Sequence, residues 1–357
     1  MALIKSAITA TGSYIPEQIV DNNRFMQHIF LQKNGSPVPG PNLKNIEKFQ
    51  EITGIRQRRY AQNEQTASDL AFLASKDVLE SGNIDPESLD YIIVAHNFGD
   101  VQYGSNRVDI VPSLATKVKF QLKIKNPDCV AYDLVFGCPG WLQGLIQADY
   151  YIRSGDARRC LVIGTETLSR VVDKHDRDSM IYADGAGAVL VEAVENSDVG
   201  IIAHQAQTHA DEHALLLTMG SSYNQTDDSC DTFIKMNGRA LYEFALNNVP
   251  LVVKQMLDKA KVHISNVRKV LIHQANEKMD KAILQRLFKL YDITSYSSDI
   301  MPMTISSLGN SSVATIPTLL DLVRKNKLEH QSIMPGDKVV FASVGAGMNI
   351  NALLYQF

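Results

Sequence analysis

Short apolar strand patterns alternate with longer amphipathic helical patterns along most of the sequence. The strand patterns are apolar runs bounded by turn or charged residues, and they lie at 89–96, 129–135, 159–166, 187–194, 268–274 and 337–344. The clearest helical patterns cover 66–82, 139–155 and 238–261. Because strands that alternate with helices pack as layers around a largely parallel sheet, this feature predicts an α/β fold.

One unit of helix, turn and strand occurs in both halves of the sequence. A helix ending in VLESG and the segment IDPESLDYIIVAH correspond to a later helix ending in MLDKAK and the segment HISNVRKVLIHQ. Two unrelated units of helix, turn and strand are also common in α/β proteins, so the pattern is compatible with either a duplication or two unrelated units. A duplication predicts two similar halves, which we place at 1–200 and 201–357. Polar or Pro/Gly-rich segments at 31–45 and 219–232 predict an exposed excursion and a surface loop between the halves.

Composition excludes several classes of protein. The chain has 357 residues, enough for about two domains of ~150 residues. Its 35 basic and 39 acidic side chains give a net charge of −4, which gives no reason to expect nucleic acid as a partner. The N-terminal segment lacks the features of a signal peptide, and no stretch approaches the ~20 apolar residues of a membrane span. We therefore expect a cytoplasmic protein without a membrane span.

The four cysteines do not form a metal-binding or disulfide pattern. None of them belongs to a CxxC pair, so we predict no metal site. Cys129 and Cys160 lie in or beside strands and Cys230 lies in a polar loop, and we interpret these three as structural.

Cys138 differs because a strand ends at Gly137 and an amphipathic helix begins with Pro139. A thiol at a helix N-terminus lies near the positive end of the helix dipole, which predicts a lowered pKa and a reactive thiolate. The alternative is a buried structural cysteine. His273 ends a strand and Asn310 lies in a Gly/Ser loop, where a hydrogen-bonded histidine and a turn asparagine are the usual roles. The loop 342–349 carries a GxG that is too short for a dinucleotide fingerprint.

Six ordered motifs resemble the type III β-ketoacyl-acyl-carrier-protein synthases of the thiolase superfamily. They are GCPG before a helix, DGAGAVLVE (184–192), MNGRALYEFA (236–245), HQAN (273–276), GNSSVATIP (309–317) and GAG before the last strand. The resemblance extends from ITATGSYIPEQIVDN near the start to that last strand. It implies a thiolase-like αβαβα layered fold of two similar duplicated halves, and a homodimer.

The resemblance also implies roles for single residues. Cys138 would take an acyl group from a thioester, and His273 and Asn310 would hydrogen-bond the carbonyl oxygen of the second substrate. The backbone N–H groups of Cys138 and Ala346 would form the oxyanion hole. No cofactor is implied, since coenzyme A or carrier-protein phosphopantetheine thioesters are the substrates. These groups suit carbon–carbon bond formation, which needs an acyl-enzyme and donors for an enolate oxygen.

The chain departs from the family at several positions. Trp141 occupies an aromatic position near the nucleophile, which predicts an altered acyl tunnel. Lys48 and Ile52 stand where an aromatic residue and an Arg clamp the adenine of coenzyme A in the family, although Arg177 matches the other Arg on that side. Lys278 keeps the positive charge of a residue that docks the acyl carrier protein. These positions favour a carrier-protein-bound donor over coenzyme A.

We therefore predict an acyltransferase that performs a Claisen condensation with a malonyl or β-ketoacyl thioester. The departures favour a member of specialised metabolism, similar to the ketosynthases that form dialkylresorcinols. The alternatives are a housekeeping enzyme that starts fatty acid synthesis and an inactive ketosynthase-like binding subunit. A degradative thiolase is disfavoured because ASVGAGMN lacks a second cysteine, a plant-type polyketide synthase because its glycine-rich ending differs, and an NAD-dependent oxidoreductase because no GxGxxG follows the first strand.

Overall fold

The structure is a computed structural model that describes residues 4–227 and 229–357. Its strands are β1 (Ile4–Tyr14), β2 (Gln18–Asp21), β3 (Gln57–Tyr60), β4 (Tyr91–His96), β5 (Asp100–Val101), β6 (Val108–Asp109), β7 (Val130–Val135), β8 (Arg159–Thr167), β9 (Asp184–Glu195), β10 (Gly200–Thr208), β11 (Leu217–Gly220), β12 (Phe233–Met236), β13 (Lys269–Ile272), β14 (Lys338–Gly345) and β15 (Asn349–Gln356). Its α-helices are α1 (Asn42–Thr53), α2 (Ala67–Gly82), α3 (Leu114–Gln121), α4 (Gly140–Ser154), α5 (Ala210–His213), α6 (Gly238–Ala260), α7 (Glu277–Lys289), α8 (Ile305–Leu308) and α9 (Thr315–Arg324).

Two mixed sheets form the framework. The first has the strand order β1-β9-β8-β4-β7, with β4 parallel to both β7 and β8. The second has the order β10-β15-β14-β13, with β13 parallel to β14. The strands of the first sheet end at Glu195 and those of the second begin at Gly200. All the predicted strands are confirmed as members of these two sheets.

Five layers follow from where the apolar side chains are buried. Between the sheets, Trp141 and Leu145 of α4 and Leu319 of α9 pack with Val162 of the first sheet and Phe341 of the second. Helices α2 and α3 cover the outer face of the first sheet, and α6 and α7 cover the outer face of the second. Each sheet thus buries both faces, as its continuous apolar strands require. The predicted αβαβα layering is confirmed.

The repeated unit is present in both halves. Helix α2 leads through a 3-10 turn at Pro86–Ser88 to β4, and α6 leads through a 3-10 turn at Ile264–Asn266 to β13. The residue directly after each helix is in the left-handed region: Asn83 has φ 51° and Lys261 has φ 55°. The two copies of the α/β unit predicted from the sequence therefore share the order of their elements and the geometry at their helix ends.

Two predictions about surface segments need correction. The excursion 31–45 is mostly exposed, but α1 begins within it at Asn42. Segment 219–232 begins with the last residues of β11 and includes residue 228, which lies outside the described residues. It also falls inside the second half, because the chain passes from one sheet to the other at 195–200. No helix among the described residues is long and apolar enough to cross a membrane.

Candidate active site

Cys138, His273 and Asn310 line one cavity of about 380 Å³, although they are far apart in the sequence. Cys138 follows β7, and His273 follows β13. Asn310 lies between α8 and α9 and bridges to Tyr182 just before β9. Parallel strands place their carboxyl ends on one edge of a sheet, where α/β proteins hold ligands. The two parallel strand pairs thus bring the nucleophile candidate and the histidine to the same cavity.

Two glycines let the loops around Cys138 approach each other. Gly137 has φ 70°, and a Cβ there would lie 2.9 Å from the backbone nitrogen of Ala346. A Cβ on Gly345 would lie 2.4 Å from the backbone nitrogen of Cys138. Cys138 and Ala346 therefore have adjacent backbones, and each stands at the start of a helical turn, where N–H groups have no partner within the turn. Helix α4 begins at Gly140, so Pro139 is its N-cap and not its first helical residue.

The predicted low pKa of Cys138 is wrong. Burial raises the pKa of the Cys138 thiol to about 11, while a hydrogen bond from Ser312 and the residue's own backbone N–H act in the opposite direction. The cost of removing the thiolate from water exceeds what these two hydrogen bonds contribute. The sulfur is therefore a neutral thiol at pH 7 before a substrate binds.

His273 is an uncharged base at the carboxyl end of β13. Its side chain is buried, and burial lowers its pKa to about 4, partly opposed by a hydrogen bond with the Ser312 backbone. Its backbone N–H donates to the carbonyl of Ala342 at 2.9 Å, which ties the loop to β14. The ring nitrogen Nδ1 is buried and has no hydrogen-bond partner among the described residues. A neutral imidazole carries one N–H donor and one acceptor nitrogen.

Asn310 is held by backbone hydrogen bonds on both sides. Its N–H donates to Ile181 at 3.0 Å, and its carbonyl accepts from Ala183 at 2.8 Å. Its side-chain oxygen Oδ1 accepts from the N–H of Ser312 at 2.8 Å. Oδ1 accepts this bond, and no described residue accepts from the amide nitrogen, so that nitrogen can donate into the cavity.

Sequence reasoning missed a set of polar residues behind the thiol. The Ser312 hydroxyl lies 3.1 Å from Cys138 Sγ and 3.0 Å from the amide nitrogen of Asn97. Asn97 in turn donates to the buried carboxyl of Glu166. Asn97 comes directly after β4 and Glu166 lies near the end of β8, so both positions could have been found as polar residues at the ends of apolar strands.

The rest of the cavity wall is mostly apolar. It includes side chains from β11, β12 and the loops after β4 and β8, namely Phe98, Leu168, Leu217, Met219, Ile234 and Met236. Trp141 is not among them. It is buried between the sheets, where its indole N–H donates to the Val162 carbonyl at 3.3 Å and its ring packs edge-on against Phe341. Trp141 therefore does not shape the cavity wall directly.

A second cavity of about 630 Å³ adjoins the first and shares Tyr182, Leu241 and Asn310 with it. Lys48, Ile52 and Arg177 line this second cavity, and Arg177 is exposed. The three residues at the positions that bind coenzyme A in the family therefore line the cavity next to that of Cys138.

Lys278 lies outside both cavities, at the exposed start of α7. Its ammonium is 3.1 Å from the Glu51 carboxylate of α1, and the two side chains are 55% and 75% exposed. Of the other cysteines, Cys129 and Cys160 are buried and Cys230 is exposed, and none of them lines the two cavities.

A five-layer fold of two mixed sheets, with Cys138, His273 and Asn310 meeting in one cavity, defines a thiolase-like condensing enzyme. The comparisons with known proteins narrow this class. The family model described as 3-Oxoacyl-[acyl-carrier-protein (ACP)] synthase III matches residues 132–210, and the model of its C-terminal part matches residues 257–357. The chain belongs to the 3-oxoacyl-[acyl-carrier-protein] synthase III family and is an acyltransferase.

Individual relatives match over the full length. The chain is 32% identical to the Beta-ketoacyl-[acyl-carrier-protein] synthase III of Erythrobacter litoralis, across 99% of this chain and 100% of that protein. The solved 3-oxoacyl-[acyl-carrier-protein] synthase III of Aquifex aeolicus is 29% identical with a TM-score of 0.78, and covers 99% of this chain and 100% of that one. The solved synthase III of Thermus thermophilus is 28% identical with a TM-score of 0.80. The match covers 98% of this chain and 99% of that one.

Proposed function

We propose that Cys138 is the nucleophile of a ping-pong Claisen condensation and that His273 and Asn310 act in its second half. The observation that carries this proposal is the meeting of the three side chains in one cavity whose other walls are mostly apolar. Apolar walls suit an aliphatic acyl chain, and the few polar groups mark the reacting end.

The first half-reaction transfers the acyl group. Cys138 Sγ attacks the thioester carbonyl, and the bond from that carbon to the donor sulfur breaks. The proton of the Cys138 thiol ends on the departing thiol, so charge balances. The adjacent N–H groups of Cys138 and Ala346 would donate to the oxygen as it gains negative charge.

The second half-reaction forms the carbon–carbon bond. A malonyl thioester loses CO2 to leave an enolate, whose carbon attacks the acyl carbon while the bond to Cys138 Sγ breaks. A proton then restores the thiol. His273 is uncharged above about pH 4, and the Asn310 amide nitrogen has no acceptor among the described residues, so both would offer neutral donors to the enolate oxygen. A carboxylate at either position would repel the enolate.

We further propose that the acyl donor is carried on an acyl carrier protein. Lys48 and Ile52 replace the two residues that clamp adenine in the family, and of the family's adenine-side residues only Arg177 is matched, although Phe49, Tyr242 and Arg239 also line this cavity. Lys278 is an exposed cation that could contact an acidic carrier, because its exposed pair with Glu51 is weak and can exchange partners.

Intact-mass measurement with matched pairs of acyl-CoA and acyl-carrier-protein donors tests this proposal. At equal concentration and chain length, we expect faster acyl gain from the carrier-bound donor. Arg177→Ala would slow transfer from acyl-CoA more than from the carrier. Faster transfer from acyl-CoA at every chain length would contradict a carrier-bound donor. Offering malonyl and β-ketoacyl acceptors next separates a role in starting fatty acid synthesis from a specialised, dialkylresorcinol-type role.

We also propose a homodimer that pairs through β7. This strand is the edge of the first sheet, and its Val130 and Val135 are 47% and 69% exposed. An exposed apolar edge favours pairing with another strand, and Val135 also lines the active-site cavity. Sedimentation should give about twice the 39.6 kDa chain mass, and Val135→Lys should shift the protein towards the monomer. A monomeric wild-type protein at micromolar concentration would contradict the proposal.

A further inference from the structure

A continuous row of hydrogen bonds connects a buried carboxyl group to the Cys138 thiol. The backbone N–H of Asn97 donates to Glu166 Oε1 at 3.0 Å, and one side-chain N–H of Asn97 donates to the same oxygen. The amide nitrogen also lies 3.0 Å from Ser312 Oγ, which lies 3.1 Å from Cys138 Sγ. Glu166 and Ser312 are buried, with 1% and 5% of their surface exposed.

The chemistry of the groups fixes the direction of these hydrogen bonds. The amide nitrogen of Asn97 can only donate, so Ser312 Oγ accepts from it. The hydroxyl proton of Ser312 is then left for Cys138 Sγ, the remaining partner at hydrogen-bond distance among the described residues. A hydrogen bond donated to sulfur favours the charged thiolate over the neutral thiol.

We propose that Asn97 is a positioning residue for the nucleophile, because it fixes the Ser312 hydroxyl as a hydrogen-bond donor to Cys138. Glu166 anchors Asn97 by accepting two of its N–H groups. The effect on catalysis rests on the proposed role of Cys138, whereas the effect on the thiol itself does not.

The backbone of Ser312 supports this assignment independently. Its φ is 53°, in the left-handed region that residues other than glycine adopt only when their surroundings hold them there. Its N–H donates to Asn310 Oδ1 at 2.8 Å. One strained residue thus connects the thiol, the asparagine of the cavity and the carboxyl behind them.

Few titratable groups lie near the thiol. The titratable groups that line the cavity with Cys138 are His273 and Tyr182, and Glu166 lies behind Asn97. Burial lowers the pKa of His273 to about 4 and raises the pKa of Tyr182 well above its ordinary value. Burial also raises the pKa of Glu166 well above its ordinary range.

The test is the pH dependence of Cys138 alkylation by iodoacetamide, followed by peptide mass so that the other cysteines are counted separately. Loss of the Ser312 hydroxyl in Ser312→Ala should reduce the alkylation rate at pH 8 by about tenfold, which corresponds to a rise of one pKa unit. Asn97→Leu should reduce it by about three- to tenfold. In the double variant, the rate should equal that of Ser312→Ala, because Asn97 acts through Ser312.

Two controls accompany these variants. Ser307→Ala removes an exposed hydroxyl that donates to the Thr304 carbonyl, and it should alkylate as the wild type does. Glu166→Gln keeps an acceptor oxygen for Asn97 and should stay within about twofold of the wild type, whereas Glu166→Leu should resemble Asn97→Leu. Thermal unfolding shows whether each variant is folded, and Asn97→Ala replaces Asn97→Leu if leucine prevents folding.

A wild-type alkylation profile in Asn97→Leu would overturn the proposal. A double variant that is alkylated about three- to tenfold more slowly than Ser312→Ala would also overturn it. If the profiles shift as expected but no thioester acylates the enzyme, the positioning role stands and the proposed function fails.

Discussion

Cys138→Ala is expected to take up no acyl group from any thioester and to lose condensation activity by at least ~1000-fold. The reason is that Cys138 is the only cysteine among the described residues that lines the active-site cavity. Cys230→Ala is the matched control, because Cys230 is exposed in a polar loop and should leave both half-reactions unchanged. Rates of acyl gain by intact mass and rates of product formation measure the two effects.

Retention of more than a tenth of wild-type condensation in Cys138→Ala would contradict the nucleophilic role. The substitution removes one sulfur atom from a cavity wall, so the fold should persist, and an unchanged thermal unfolding midpoint would show this. A Cys138→Ala variant that stays folded and keeps its activity would indicate a mechanism without an acyl-enzyme.

His273→Ala is expected to separate the two half-reactions. Acyl gain should remain within about tenfold of the wild type, while condensation should fall by about 100- to 1000-fold, as when one donor to a developing oxyanion is removed. Single-turnover experiments on pre-acylated enzyme isolate the second step. His330→Asn is a suitable control, because His330 is exposed, has φ 59°, and asparagine tolerates this conformation. Equal losses in both steps would contradict this division of roles.

The pKa values of His273 and Cys138 predict how the rate of each half-reaction depends on pH. His273 has a lowered pKa of about 4, so its ring stays neutral above that pH and condensation by the pre-acylated enzyme should not decline between about pH 8 and 5.5. Cys138 has a raised pKa of about 11, so acylation should increase as the pH rises towards 10. A condensation rate that halves near pH 6.5 would indicate a charged histidine and contradict the neutral donor.

Much of the fold follows from apolar patterns that are local in sequence. Strands β4, β8 and β14 are continuous apolar runs because both faces of their sheets are covered by helices. Strand β10 was not predicted, since only its first residues form an apolar run and its second half, 204–208, is largely polar. It is identified only by its pairing with β15, a long-range contact that local patterns do not contain.

The candidate site was predictable where it coincides with motifs. The motifs around Cys138, His273 and Asn310 placed these residues on strand ends and loops, and the fold brings them to one cavity. The sign of the Cys138 pKa shift was not predictable, because it depends on how deeply the cavity excludes water. Asn97 was missed although it directly follows an apolar strand, and Ser312 was missed because it is an ordinary loop residue until the fold places it beside Asn97 and Cys138.

The most direct measurement of the central claim is the position of the acyl group on the enzyme. Wild-type protein mixed with a reactive acyl thioester, digested and sequenced by mass spectrometry should carry the acyl group on the peptide that contains Cys138. The peptides that contain Cys129, Cys160 and Cys230 should stay unmodified. An acyl group on any of these three cysteines, with the Cys138 peptide unmodified, would contradict the account.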